Sequence, residues 1–310
     1  MVTGAAGMVG THLTAALRAD GADVLATALQ AAPGVVAVDV CDWPAMRALI
    51  GRCRPAVIYH LAAQSLPTLS WTDPWGTLSV NTQGTLNVFE AVREVRARQD
   101  AGYDPMVVVA CSSAEYGASL TPERLPIDEE APLLPLHPYG VSKVAQDLLA
   151  FQYWRNDRIR CIRARIFNTS GPGKRDDVIS DFAARAAAIR RHGGRLRVGN
   201  LQTRRAILDV RDLVAALRLL AARGVAGEAY NICAEQAVRI GELVPMLAEL
   251  AGIALMTQSD PALFRPSDEA VILGRTEKLR ACTGWRQQVP IAATLAAVLA
   301  HETARPRDGA

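Results

Sequence analysis

Long apolar runs, paired cysteines and blocks of like charge are all missing from this sequence of 310 residues. No stretch approaches the roughly 20 consecutive apolar residues that a membrane helix needs. The first residues carry neither a basic start nor a long apolar core, so no secretory signal is expected. The six cysteines (Cys41, Cys53, Cys111, Cys161, Cys233, Cys282) lie far apart with no paired spacing. That pattern argues against a zinc site or a disulfide framework and fits a reducing, cytoplasmic compartment. The net charge is only +3, and the basic residues, almost all arginine, are scattered along the chain. Neither nucleic acid nor a membrane surface is therefore an expected partner, and an anionic ligand would be met by single arginines. Aromatic residues are scarce at 5%, but half of the residues are apolar, which suits a globular, enzyme-sized protein.

What is present is an alternation of short apolar runs and longer amphipathic stretches. VLATAL at 24–29, VVAVDV at 35–40, AVIYHLAA at 56–63, MVVVACSS at 106–113 and IRCIRARIFN at 159–168 read as buried strands. The stretches between them have the length and period of helices. This order predicts an α/β fold, a Rossmann-type doubly wound parallel sheet with helices on both faces. After residue 168 the pattern loosens into the turn-rich GPGKRDD, further helices and short strands, which predict a smaller C-terminal α/β domain. Residues 1–167 with part of 203–235 are assigned to a dinucleotide-binding domain, and residues 168–202 and 236–310 to a substrate-binding domain.

Gly4, Gly7 and Gly10 stand between a predicted strand and a predicted helix in MVTGAAGMVGTHL. Glycines at this spacing let the backbone turn tightly and bring amide groups and a helix N-terminus against a dinucleotide pyrophosphate. Such a trio also fits a turn needed only for packing, but the strand before it, the helix after it and the strand at 24–29 favour a cofactor. Only Met1 to Thr3 precede Gly4, so the first strand is expected to be short. Tyr139 and Lys143, four apart in YGVSK, share one helix face. A cation beside the phenol is expected to lower its pKa and make it a proton donor and acceptor near neutral pH. His60 and His137 have no partner at ligand spacing, so core or loop histidines and no metal site are expected.

With these residues in place, the chain resembles the extended short-chain dehydrogenase/reductases that act on nucleotide sugars. The resemblance rests on GAAGMVG, HLAAQS at 60–65, NTQGT at 81–85, CSSAEYG at 111–117, PYGVSK, RIFNTSGPG at 165–173, DVRD at 209–212, YNIC at 230–233, LFRPSD at 263–268 and TGW at 283–285. Within the family, VISDFA, VGNL, YNICAEQAVRI and LFRPSD are most similar to the GDP-4-keto-6-deoxymannose reductases. The resemblance implies a catalytic trio of Ser112, Tyr139 and Lys143. It implies cofactor contacts from Gly4, Gly7, Met8, Val9, Gly10, Asp39, Val40, Leu61, Ala62 and Ala63 together with Tyr139 and Lys143, and substrate contacts from Gln64, Ser113, Asn168, Arg205 and Arg265. Asp39 fits a loop cap equally well. Arg205 departs from the family's Arg-Asp-aromatic pattern, because Ala206 and Ile207 follow it, and each arginine also fits a surface salt bridge.

Dehydratases of this family carry an acid two residues before the tyrosine of CSSAEYG, where this chain has Ala114. A methyl group neither accepts nor donates a proton, so elimination has lost its base. Glu115, one position on, is expected to point away from the reacting carbons as a solvated or salt-bridged residue beside the cleft. What the resemblance then implies is reduction of a sugar 4-ketone, GDP-4-keto-6-deoxymannose to GDP-D-rhamnose. Tyr139 would protonate the oxygen, Ser112 would hold it, and Lys143 would tune Tyr139 and hold the nicotinamide ribose. At the end of the second strand Thr27, Ala28, Leu29 and Gln30 offer neither the acid that holds NAD nor the arginine that accepts the phosphate of NADP. The missing acid and a reductase's usual choice favour NADPH over NAD. Two alternatives stand beside this reading, a nucleotide-sugar 4-epimerase that keeps NAD bound, and a cofactor-sensing binding module without turnover, which the complete trio disfavours. A homodimer paired through the helices containing 83–97 and 139–154 is expected from the family.

Overall fold

The computed structural model describes residues 1–264 and 269–304. Among these residues a seven-stranded parallel sheet forms the centre of the molecule. Its strands are β1 (Val2–Thr3), β2 (Ala26–Ala28), β3 (Val36–Ala37), β4 (Val57–His60), β5 (Met106–Ser112), β6 (Cys161–Ile166) and β7 (Ala229–Ile232), in the spatial order β7-β6-β5-β4-β1-β2-β3. The chain winds outward from β1 through β2 to β3, then returns to lay β4 on the other side of β1. That reversal opens a crevice at the C-terminal ends of β1 and β4, where ligands of such sheets bind.

The main helices are α1 (Met8–Ala19), α2 (Trp43–Cys53), α3 (Gly84–Arg98), α4 (Pro138–Asp157), α5 (Val178–His192), α6 (Val210–Arg223), α7 (Leu243–Ala251) and α8 (Ile291–Ala304). In β5 both faces are apolar, because a central parallel strand is covered on both sides. Val108 packs into the core that contains Leu13 of α1 and Leu213 and Leu217 of α6. Val107 and Val109 point the other way, into the core built on Ile50 of α2, Phe89 of α3 and Tyr153 of α4. A third core, with Phe182 of α5, Leu247 of α7 and Leu295 of α8, lies in the second half of the chain.

The first strand is as short as expected, and its two residues register with both β2 and β4. The run at 35–40 is strand only at Val36–Ala37, an edge whose side chains are exposed. It stops where the Asp39 carboxylate accepts the Cys41 amide at 2.9 Å, so Asp39 caps a loop. None of the helices among the described residues is long and apolar enough to cross a membrane.

Candidate active site

The crevice begins at the glycine turn. Gly4 has a φ of +67°, and a Cβ there would meet the Ala62 amide nitrogen at 2.8 Å and the Leu61 carbonyl carbon at 2.9 Å. A side chain is excluded both by the backbone conformation and by the close approach of the chain leaving β4. A Cβ on Gly10 would fall on the Gly4 carbonyl oxygen, so α1 packs directly on the turn. The Gly7 amide donates to that same oxygen at 3.0 Å, and α1 then opens with no acidic residue in its first turn. A helix N-terminus with backbone this close fits an anionic dinucleotide, which Met8 and Val9 would border. Val40 packs beneath this region against Gly84, and its carbonyl accepts the Asn87 side-chain amide at 2.8 Å.

Ser112 ends β5, while Tyr139 and Lys143 lie in the first two turns of α4, and all three are buried. The helix starts at Pro138, and the His137 ring caps it by accepting the Gly140 amide at 3.0 Å. A Cβ on Gly140 would meet the Ala114 carbonyl oxygen at 2.7 Å, so this glycine lets α4 press onto the turn that follows Ser112. The Ser112 hydroxyl is thereby brought near enough to the Tyr139 phenol to influence its protonation. Lys143 Nζ stands 5.7 Å from the centre of the Tyr139 ring and donates to the Ala110 carbonyl at 2.8 Å and to Gln146 Oε1 at 2.7 Å.

The electrostatics correct one expectation. Burial pushes the Tyr139 phenol up to about 12, against the lowering effect of the nearby Ser112 hydroxyl. The ammonium meant to lower it is itself depressed to about 8 by burial, with Cys111 and Glu115 opposing that change. Desolvation of both groups outweighs their mutual influence. A phenol held in its protonated form is suited to giving a proton away.

Behind the trio runs a buried chain of hydrogen bonds whose directions follow from counting protons. The Thr85 hydroxyl donates to the Asn81 carbonyl at 2.8 Å, so its oxygen is the acceptor for Gln146 Nε2 at 2.6 Å and for His60 Nε2 at 3.1 Å. His60 therefore carries its proton on Nε2, and its Nδ1 accepts from Thr3 Oγ1 at 3.0 Å. Thr3 Oγ1 in turn accepts the amides of Leu61 and Ala62, both at 3.1 Å. One continuous path joins Lys143 to the strand end that abuts Gly4. His60 is thus a core histidine and His137 a helix cap.

The remaining expected residues divide. Both amide hydrogens of Gln64 are engaged, by the Leu66 carbonyl at 3.0 Å and Thr77 Oγ1 at 2.9 Å, and its Oε1 accepts the Leu66 amide. Gln64 folds the loop instead of presenting its amide to a ligand. Asn81 clamps this loop to α4 by donating to the Gln64 carbonyl at 3.0 Å and to Ser142 Oγ at 2.8 Å. Ser113 opens the short turn Ser113–Glu115, and Asn168 is exposed just beyond the C-terminal end of β6. Arg205 donates to the Glu269 and Arg204 carbonyls at 2.7 and 3.0 Å. Arg265 lies outside the described residues. Glu115 is fully buried, not solvated, with Arg165 Nε 3.4 Å from one oxygen. Sequence reasoning passed over Thr85 and Gln146, although Asn81 and Thr85 stood in the NTQGT motif at helical spacing.

A family model for GDP-mannose 4,6 dehydratase matches residues 1–298. The chain belongs to that family. GDP-6-deoxy-D-mannose reductase of Pseudomonas aeruginosa is 33% identical over 99% of this chain and 98% of its own length. The structure of RMD from Pseudomonas aeruginosa complexed with NADPH superposes with a TM-score of 0.86 at 32% identity, covering 98% of each chain. UDP-glucose 4-epimerase of Thermus thermophilus in complex with NAD gives the same TM-score at 26% identity, again over 98% of each chain. The chain is thus a Rossmann-type, NAD(P)-dependent enzyme, and in a family named for a dehydration it has alanine at position 114.

Proposed function

We propose that the protein is an NADPH-dependent ketoreductase that converts GDP-4-keto-6-deoxymannose to GDP-D-rhamnose. The observation that carries this reading is the complete trio of Ser112, Tyr139 and Lys143 beside an alanine where elimination needs an acid. NADPH, when bound, supplies the hydride for the ketone carbon. The glycine turn and the α1 N-terminus hold its pyrophosphate, and the third proton of the Lys143 ammonium, free of Ala110 and Gln146, is available to the nicotinamide ribose. Tyr139 gives its proton to the oxygen as negative charge develops there, and Ser112 orients that oxygen. The names of the Pseudomonas relatives, a reductase and an NADPH complex, support both the ketone and the choice of cofactor.

In this reading, residues 1–167 with part of 203–235 bind the cofactor, and residues 168–202 and 236–310, with Asn168, Arg205 and Arg265, bind the substrate nucleotide. The protein is a homodimer paired through α3 and α4 and works in the cytoplasm, in keeping with its free cysteines. An epimerase would use the same trio; two UDP-glucose 4-epimerases are less similar, at 26% and 27% identity, whereas a Burkholderia cenocepacia structure described as a putative epimerase is 32% identical. The deciding experiment offers the purified protein GDP-, dTDP- and UDP-linked 4-keto-6-deoxy sugars with NADPH or NADH. Oxidation of NADPH matched by loss of the GDP-linked ketone is expected. Copurifying NAD, no net cofactor turnover and interconversion of UDP-hexoses would replace this reading with the epimerase.

A further inference from the structure

The side chain of Glu115 is fully buried in the turn that follows Ser112. The turn after β5 is closed reciprocally, with Ser112 Oγ accepting the Ala114 amide at 3.2 Å and Glu115 Oε1 accepting the Ser112 amide at 2.7 Å. The other carboxylate oxygen has no hydrogen-bond partner among the described residues and lies 3.4 Å from Arg165 Nε on β6. Arg165 is itself fixed from three sides. Asp147 of α4 accepts from its Nε at 2.9 Å and from its Nη2 at 3.3 Å, while the Tyr116 hydroxyl and the Glu129 carbonyl accept from its Nη1 at 3.1 and 2.8 Å. Asp147 is further held by Arg163 Nη1 at 2.6 Å. Glu115 therefore rests against a cation held by Asp147, Tyr116 and Glu129, with one oxygen 3.4 Å from its Nε and the other taking the backbone amide of Ser112.

We propose that Glu115 is the positioning residue for Ser112, transmitting the fixed Arg165–Asp147 pair to the Ser112 backbone and so setting the hydroxyl against Tyr139. This rests on the ketoreductase reading, in which Ser112 and Tyr139 share the substrate oxygen. An apolar side chain at this position would leave the buried Ser112 amide without an acceptor, and the chain would shift to satisfy it. A glutamine keeps an acceptor oxygen in the same place.

The test compares Glu115→Gln with Glu115→Leu in the full-length protein, using NADPH and the 4-keto sugar that the wild type reduces. Glu115→Gln is expected to lower kcat by only a few-fold. Glu115→Leu is expected to lower kcat by about tenfold or more, with KM for NADPH unchanged. Hydrogen exchange at the Ser112 amide should accelerate in the leucine variant alone, a readout independent of turnover. Wild-type kcat in the leucine variant, or unaltered exchange at Ser112, overturns the proposal. So does a glutamine variant as slow as the leucine one with Ser112 still protected, because Glu115 would then act through its charge. If the leucine variant does not fold, Glu115→Asp, which withdraws the carboxylate by one methylene, takes its place. A wild type that reduces no ketone refutes the ketoreductase reading, and Ser112 exchange still decides whether Glu115 holds that amide.

Discussion

At the scale of single residues, the spacing of Tyr139 and Lys143 was legible because two positions four apart on a helix must share a face. Their protonation was not, because desolvation depends on what the folded chain packs around them. Tyr139→Phe is expected to leave cofactor binding largely intact and to reduce turnover at least roughly 100-fold, the usual loss with a general acid. Near-normal rates would remove Tyr139 as the donor. For Lys143 the consequence appears in stability. The unfolded chain keeps this proton up to its ordinary value of 10.5, whereas the buried lysine releases it at about 8. Between those values the unfolded state binds more protons, so stability rises with pH across that window, and below it the cost of burying the charge is fully present. Urea unfolding of the wild type and Lys143→Met should show the wild type gaining about 3 kcal/mol relative to the variant from pH 8 to pH 10.5. Parallel profiles would mean that the lysine is not desolvated.

Among the elements, β5 was read from its apolar run, since a central parallel strand needs apolar residues on both faces, and β6 was read although Arg163 and Arg165 occupy one of its faces, where Asp147 pairs with both. VVAVDV misled for the complementary reason: nothing in six residues says that their strand lies at the sheet edge, where only two of them pair and Val36 stays exposed. The path from Lys143 to Thr3 was hidden because it joins residues from β1, β4, α3 and α4, which no local pattern connects. Its centre, His60, makes a testable statement. Burial, with Lys143 nearby, lowers this imidazole from 6.5 to about 3, so the folded protein keeps it neutral where the unfolded chain would be protonated. Stability should therefore fall as pH drops from 6.5 towards 3, by about 5 kcal/mol over the window, which approaches the whole stability of many domains. His60→Gln, which cannot be protonated, should be less stable at neutral pH but should lose less on acidification. A variant that keeps the full acid slope would assign that slope to other groups.

For the whole molecule, the order β7-β6-β5-β4-β1-β2-β3 brings the glycine turn and the trio of Ser112, Tyr139 and Lys143 to one crevice, and this much follows from a βαβ reading. What covers the outer helices does not follow from it. On α4, the buried Tyr139, Lys143, Gln146, Asp147 and Ala150 mark the inner face. Val141, Leu148 and Phe151 project from the opposite side, and Leu86 is exposed on the adjacent α3. Single exposed apolar residues need no explanation, but several on two neighbouring helices form a patch that water disfavours. Pairing with a second copy would cover it, and would do so on the side away from the trio. The wild type is therefore expected to have the mass of a dimer at micromolar concentration by sedimentation or light scattering. Leu148→Arg would place a charge within the paired surface and should shift that mass to a monomer, while the monomer retains cofactor binding because no trio residue is altered. A wild type that remains monomeric at that concentration would show that a second copy does not cover this face. Loss of cofactor binding in a folded Leu148→Arg monomer would show that pairing shapes the crevice as well as covering the patch.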